Sequence, residues 1–158
     1  MAEPLRLYET RIKPEWIDEF EHMNVAHYIT VCDQATWAFW HFVNDDRQME
    51  ERDGHEYAIV ESHVTYAREV ALDEPVYVTT QLLGYDDKRF ILFHKLWKAE
   101  DDTLSATNEV KGLGFNLNER RIESFLPEVQ AKMSDILAEH ETLGVPPQAG
   151  QGIALKKR

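Results

Sequence analysis

A single cysteine, Cys32, is all the thiol chemistry that this 158-residue chain holds. One thiol forms no internal disulfide and no multi-cysteine zinc site. Its place inside the most apolar stretch of the sequence marks it as a buried structural side chain. Positive charge is also short: 17 Lys and Arg stand against 29 Asp and Glu, a formal net charge of −12. An acidic surface argues against nucleic acid and anionic membrane as partners. A small anionic ligand stays open, because it needs only a local cluster of cations. No apolar run is long enough to cross a bilayer, and no basic-then-apolar segment opens the chain, so a cytoplasmic protein is expected. Internal repeats and a second domain are missing as well. With 43% hydrophobic residues the chain can bury a core, and its length fits one domain.

Hydrophobic periodicity divides what is there. Residues 5–13 alternate loosely and read as a strand, ended by Pro14, which has no N–H for a ladder. Residues 25–43 (VAHYITVCDQATWAFWHFV) make about five helical turns. Apolar side chains cover most of that circumference, which predicts a mostly buried helix. Asp33 is its chief charge, and a carboxylate in an apolar helix needs a partner or a role. Residues 44–56 are highly charged without a period and predict a surface loop, a candidate lid or dimer rim. The period then switches to two. Residues 57–67, 75–83, 89–99 and 104–117 predict four strands joined by short connections, the last three a meander. Gly112 and Gly114 mark a bulge or a close backbone approach. Residues 127–140 predict an amphipathic helix that starts at Pro127, with Gly144 as its stop. The domain is expected over 1–144 and a flexible tail over 145–158. This order gives an α+β fold, an antiparallel sheet of about five strands wrapped around a long central helix, with a C-terminal helix. The remaining sheet face or edge is a natural oligomer surface.

Between the first strand and the long helix lies Asp18-Glu-Phe-Glu-His22-Met-Asn24-Val-Ala-His27-Tyr28. An acid, two histidines and an amide share the turn that opens the helix, with Asn24 at the N-cap position. A helix start carries unpaired N–H groups and a partial positive charge. A carboxylate held there can act on a bound carbonyl whose oxygen those N–H groups stabilise. The same residues also suit plain turn and cap duty, and Asp18, His22 and His27 form an alternative metal set. On the strand that follows, Glu61 and His63 project from one face at a two-residue spacing, either into solvent or as the wall of a site.

In this element order, the motif resembles the hotdog-fold thioesterases of the 4-hydroxybenzoyl-CoA thioesterase type. Their signature is an acid, three residues, His-Val/Met-Asn, a Tyr a few residues on, and an acid about five after it. Here these are Asp18, His22-Met23-Asn24, Tyr28 and Asp33. Glu21 stands where the family usually has glycine, and Asp33 where it often has the longer glutamate. A narrower likeness, in Pro14–Asp18, Val60–His63, Tyr66–Val70 and Val78–Gly84, is to the betainyl-CoA thioesterases of carnitine catabolism. The resemblance implies hydrolysis of an acyl-CoA thioester without a cofactor, in a homo-oligomer, dimer or tetramer, with sites between subunits. Asp18 is then the general base or the nucleophile. Backbone N–H groups at Asn24 and Val25 polarise the carbonyl, and His22 supports the turn. Tyr28, Asp33, Glu61 and His63 line or assist the acyl site, while Arg68, Lys88, Arg89 and Lys111 are candidates for the CoA phosphates. A trimethylammonium acyl group would need aromatic faces, for which Trp16, Trp37, Trp40 and Tyr66 are available, Trp16 foremost. A hotdog hydratase and a non-catalytic acyl-CoA-binding protein are the competing readings.

Overall fold

A computed structural model describes residues 2–155. Its elements are β1 (Leu5–Arg11), α1 (Val25–Val43), β2 (His55–Tyr66), β3 (Pro75–Tyr85), β4 (Arg89–Lys98), β5 (Thr103–Asn116), a two-residue β6 (Arg121–Ile122) and α2 (Pro127–His140). Both helices match their expected spans, and the strand ends fall within two residues of the expected ones. All pairings are antiparallel, in the order β1-β3-β4-β5-β2, with β6 on β5. The sheet curls around α1, the hotdog arrangement, and β2 lies at one edge. Among the described residues no helix is long and apolar enough to cross a membrane.

α1 buries Tyr28, Val31, Cys32, Ala35, Thr36, Phe39, Trp40 and Val43, the three-and-four spacing of one helix face. The N-terminal part of that face packs with Ile12, Trp16, Met23, Val76, Val78, Leu96 and Ala106. The C-terminal part packs with Leu82, Phe90, Leu92, Val110 and α2's Val129, Met133 and Ile136. Between the two clusters runs a polar seam. His94 of β4 is fully buried, its Nε2 at 2.7 Å from the Thr36 hydroxyl and its Nδ1 at 2.9 Å from the Thr80 hydroxyl. Burial pushes its pKa down to about 3, so the ring is neutral.

Two differences from the sequence reading have physical causes. α1 is not mostly buried: Val25, Ile29 and Trp37 are 59, 43 and 36% exposed and form one uncovered stripe with Asp33. A single sheet reaches only one side of a helix about 10 Å across. The charged stretch 44–56 is not wholly a surface loop either. Arg52 and Glu56 are buried and bonded to each other, with Arg52 Nη2 at 2.5 Å from Glu56 Oε1. Arg52 Nη1 also donates to the Arg47 carbonyl, and Trp40 Nε1 donates to Glu56, so the pair closes the C-terminal end of α1. Beyond α2, residues 144–151 run across the outer sheet face, away from α1. Gln81 Nε2 donates to the Gly144 carbonyl at 2.8 Å, and Gly150 N donates to Glu109 Oε1 at 2.9 Å. The part of the expected tail at 156–158 lies outside the described residues.

The two β5 glycines answer to close approach. A Cβ at Gly112 would run into the Phe90 ring, and one at Gly114 into the Glu123 carbonyl. The bulge sits across the ladder, between Ile59 and Glu61 of β2.

Candidate active site

The turn before α1 is built by backbone bonds that leave little freedom. The Asn24 N–H donates to the Trp16 carbonyl at 2.9 Å, Ile17 bridges Met23, and Asp18 N donates to the His22 carbonyl at 3.2 Å. Glu21 N returns to the Asp18 carbonyl at 3.0 Å. That closure needs a left-handed residue, and Glu21 has φ +66°. The position where the resembled signature has glycine is thus a positive-φ position in this chain, and the glutamate adopts it at a modest cost in strain. Met23 N donates to the Val70 carbonyl at 2.9 Å, which anchors the turn to the segment after β2.

Within this frame Asp18 is half-buried and held at both oxygens. Oδ1 accepts the Phe20 N–H at 2.9 Å, and Oδ2 accepts Asn24 Nδ2 at 3.2 Å. The other end of the Asn24 amide accepts the Ala26 N–H at 3.0 Å, the cap of α1. One side chain thus ties the carboxylate to the helix mouth and fixes its own amide orientation, oxygen to the helix and nitrogen to the acid. With the Ala26 N–H on Asn24 Oδ1 and the His27 N–H on the Asn24 carbonyl, the exposed first residue, Val25, presents its N–H at the mouth. A carboxylate beside an open helix N–H group suits attack on, or base-assisted hydration of, a carbonyl.

The remaining expected site residues divide into those the fold brings to this mouth and those it does not. Tyr66 is brought there: its hydroxyl donates to the Val25 carbonyl at 3.2 Å, and its half-exposed ring meets the Tyr28 ring edge-on at 5.0 Å. His22 is there too, with Nε2 at 3.1 Å from Glu69 Oε2 and a buried Nδ1 that has no partner among the described residues. Tyr28 is 4% exposed, its phenol engaged by Val70 backbone and Ser105, and burial raises its pKa. Trp16 is 7% exposed, with the Lys13 ammonium 5.2 Å over its ring and His27 stacked beside it. Asp33 lies more than two turns along α1 on the uncovered stripe, where partial burial raises its pKa.

Glu61 and His63 are not brought to Asp18 within the protomer. Their ladder partners are Lys111 and Glu109, which alternate with the core-facing Val110, so both point to the outer sheet face. Lys111 Nζ lies 3.4 Å from Glu61, and the groove there, about 530 Å³, is walled by Gly150 and Gln151. The β2 residues on the α1 side include Tyr57, whose ring meets Trp37 and Trp40, Ser62, bonded to Asn108, and Tyr66. Of the phosphate candidates, Arg89 is paired with Asp86 at 2.6 Å, and Arg68 is exposed two residues from Tyr66. The structure also brings two residues to the turn that sequence reasoning did not single out, Phe20, whose N–H holds Asp18, and Glu69, paired with His22. Phe20 had a readable signal, an aromatic residue between two acids in a polar turn; Glu69 had only its place inside the Tyr66–Val70 segment.

No cluster of three or more His, Cys, Asp or Glu side chains among the described residues could hold a metal ion. Residues 12–133 match the thioesterase-like superfamily. Over 155 residues the chain is 34% identical to a betainyl-CoA thioesterase of Pseudomonas aeruginosa, covering 98% of each chain. It is 32% identical over 150 residues to an L-carnitine dehydrogenase/betainyl-CoA thioesterase of Agrobacterium fabrum, covering 95% of this chain and 30% of that one. Among solved structures, a hypothetical protein from Staphylococcus aureus in complex with CoA superposes with a TM-score of 0.86 at 28% identity, covering 99% of both chains.

Proposed function

The chain belongs to the thioesterase-like superfamily and is a thioester hydrolase, and on that premise we propose that it hydrolyses a short acyl-CoA, betainyl-CoA first, at the Asp18 turn. The observation that carries the proposal is the chain Asp18–Asn24–Ala26, which fixes a carboxylate against the open end of α1. In the proposed reaction the thioester carbonyl oxygen sits at the α1 mouth, on the Val25 N–H, where the helix dipole favours the developing negative charge. Asp18 either takes a proton from the attacking water or attacks the carbonyl itself, giving an anhydride that water opens. CoA thiolate is the leaving group in both cases. The names of the relatives support the acyl group, and the CoA-bound neighbour supports the carrier. A cytoplasmic location belongs to the same proposal, since CoA thioesters are intracellular metabolites.

We also propose that the working unit is a homodimer, joined through β2. That strand has one free edge, and the uncovered α1 stripe with half-exposed Val60 and Tyr66 continues from it. A partner there would roof the Asp18 mouth, which one protomer leaves open.

Thiol release from a panel of betainyl-, acetyl-, medium-chain and aromatic acyl-CoAs tests the function. Betainyl-CoA is expected to give the highest kcat/KM, and Asp18→Asn to lower kcat by about 10²–10⁴-fold. Full activity of Asp18→Asn removes the proposed site, and preference for another acyl group removes betaine. A single turnover in ¹⁸O water probes the role of Asp18: label in the Asp18 carboxylate requires an anhydride that water opens at the Asp18 carbonyl, whereas a general base puts the label in the product acid and leaves Asp18 unlabelled.

A further inference from the structure

An acyl group as short as betainyl restricts where its charge can be recognised. One methylene separates the carbonyl carbon from the ammonium nitrogen, a gap of about 2.5 Å. With the carbonyl at the α1 mouth, the trimethylammonium must sit within a side chain's reach of Asp18. Trp37 is twelve residues along α1 from Val25, about 18 Å at 1.5 Å per residue, and Trp40 is farther and buried. Trp16 is near in sequence but buried, and its ring already carries the Lys13 ammonium. Two aromatic rings at the turn remain open to a ligand. Tyr66 is 49% exposed and bonds the Val25 carbonyl. Phe20 is 72% exposed although apolar, and its own N–H holds Asp18 Oδ1. The Phe20 ring stacks by His22, at 6.3 Å, and His22 holds the exposed Glu69 carboxylate.

Resting on the betainyl reading above, we propose that Phe20 and Glu69, with Tyr66, form the wall that recognises the quaternary ammonium. The ring faces attract the cation through their quadrupoles, Glu69 adds a full negative charge, and neither forms a hydrogen bond that a methylated nitrogen could not satisfy. An exposed phenylalanine in a turn otherwise made of acids has no packing reason in the protomer; a cation-binding face supplies one.

The test compares betainyl-CoA with 3,3-dimethylbutyryl-CoA, its neutral isostere, in which carbon replaces the ammonium nitrogen. The quantity read is the ratio of the two kcat/KM values. Wild type is expected to favour the cation. Phe20→Leu is expected to lower the ratio about 2- to 30-fold, and Glu69→Gln about threefold, for a charge about 6 Å away in a water-like dielectric. Trp37→Leu is expected to leave the ratio unchanged. A purely structural role for Phe20 or Glu69 would lower both kcat/KM values together and hold the ratio constant, which overturns the proposal. A wild-type preference that survives both substitutions also overturns it, and leaves the betainyl reading standing. No wild-type preference for the cation removes both, while Asp18-dependent hydrolysis of other thioesters would still stand.

Discussion

Acid should loosen this fold through His94 before it titrates the carboxylates. The ring is fully buried between α1, β3 and β4, and burial lowers its pKa to about 3. Its bonds fit one neutral tautomer: the Thr36 hydroxyl also lies 3.4 Å from the Cys32 carbonyl, so it donates there and accepts from Nε2–H, while Thr80 donates to Nδ1. In the unfolded chain the ring titrates near 6.5. Between pH 6.5 and 3 the unfolded state therefore binds the extra proton, so stability rises with pH through that window and is lost on acidification. At pH 5 the loss from this one group is about 2 kcal/mol relative to pH 7.5, a sizeable part of the 5–15 kcal/mol typical of a domain. Urea unfolding of wild type and His94→Gln at both pH values isolates it, because glutamine keeps polar atoms for the threonines but does not titrate. The wild-type minus variant difference should fall by about 2 kcal/mol on going to pH 5. A difference that stays flat would show that the ring takes its proton in place, and would refute the argument from burial.

The Asn24 side chain does two jobs, and they can be separated. Asn24→Ala should cost about 0.5–2 kcal/mol of stability by removing the cap and should also slow turnover; Asn24→Asp keeps a capping oxygen but, ionised, has no donor for Asp18, so kcat should fall while the cap's contribution to stability is kept. Glu56→Gln should destabilise by about 3–5 kcal/mol, read by denaturant unfolding, because it leaves the Arg52 charge buried without its counter-charge. Val60→Lys places a charge on the free edge of β2; sedimentation velocity should then show a monomer, with activity lost alongside, and an active monomer would rule out the shared site.

The fold was readable because its periods are clean. The helix period of 25–43 gives way to a strand period after residue 56, and Pro127 starts the last helix where the pattern says it should. The turn proposed as the site was equally local: Asp18, His22, Asn24 and Val25 lie within eight residues of one another, and a cap motif states their geometry. What was not readable is what depends on partners distant in sequence. Arg52 and Glu56 look like loop charges until Trp40 and the end of α1 are seen to enclose them. The two-residue spacing of Glu61 and His63 showed that they share a face but not which one; the register with Lys111 and Glu109 decides that, and puts them outside. Glu69 acquires meaning only through its contact with His22.

The exposed stripe of α1 joins these strands of the argument. Sequence alone predicts burial for Val25, Ile29 and Trp37, and one protomer leaves them open. Both statements hold if the surface that covers them belongs to a second copy. The apolar excess on α1 is then not surplus core but interface, continuous with the free edge of β2. The same surface borders the α1 mouth, where Val25 lies beside Asn24. Association would thus desolvate the carboxylate and the helix N–H groups together, strengthening the electrostatics on which the thioester chemistry depends. In the proposed dimer, burial that the fold leaves unfinished and a site that one chain leaves open would have one remedy.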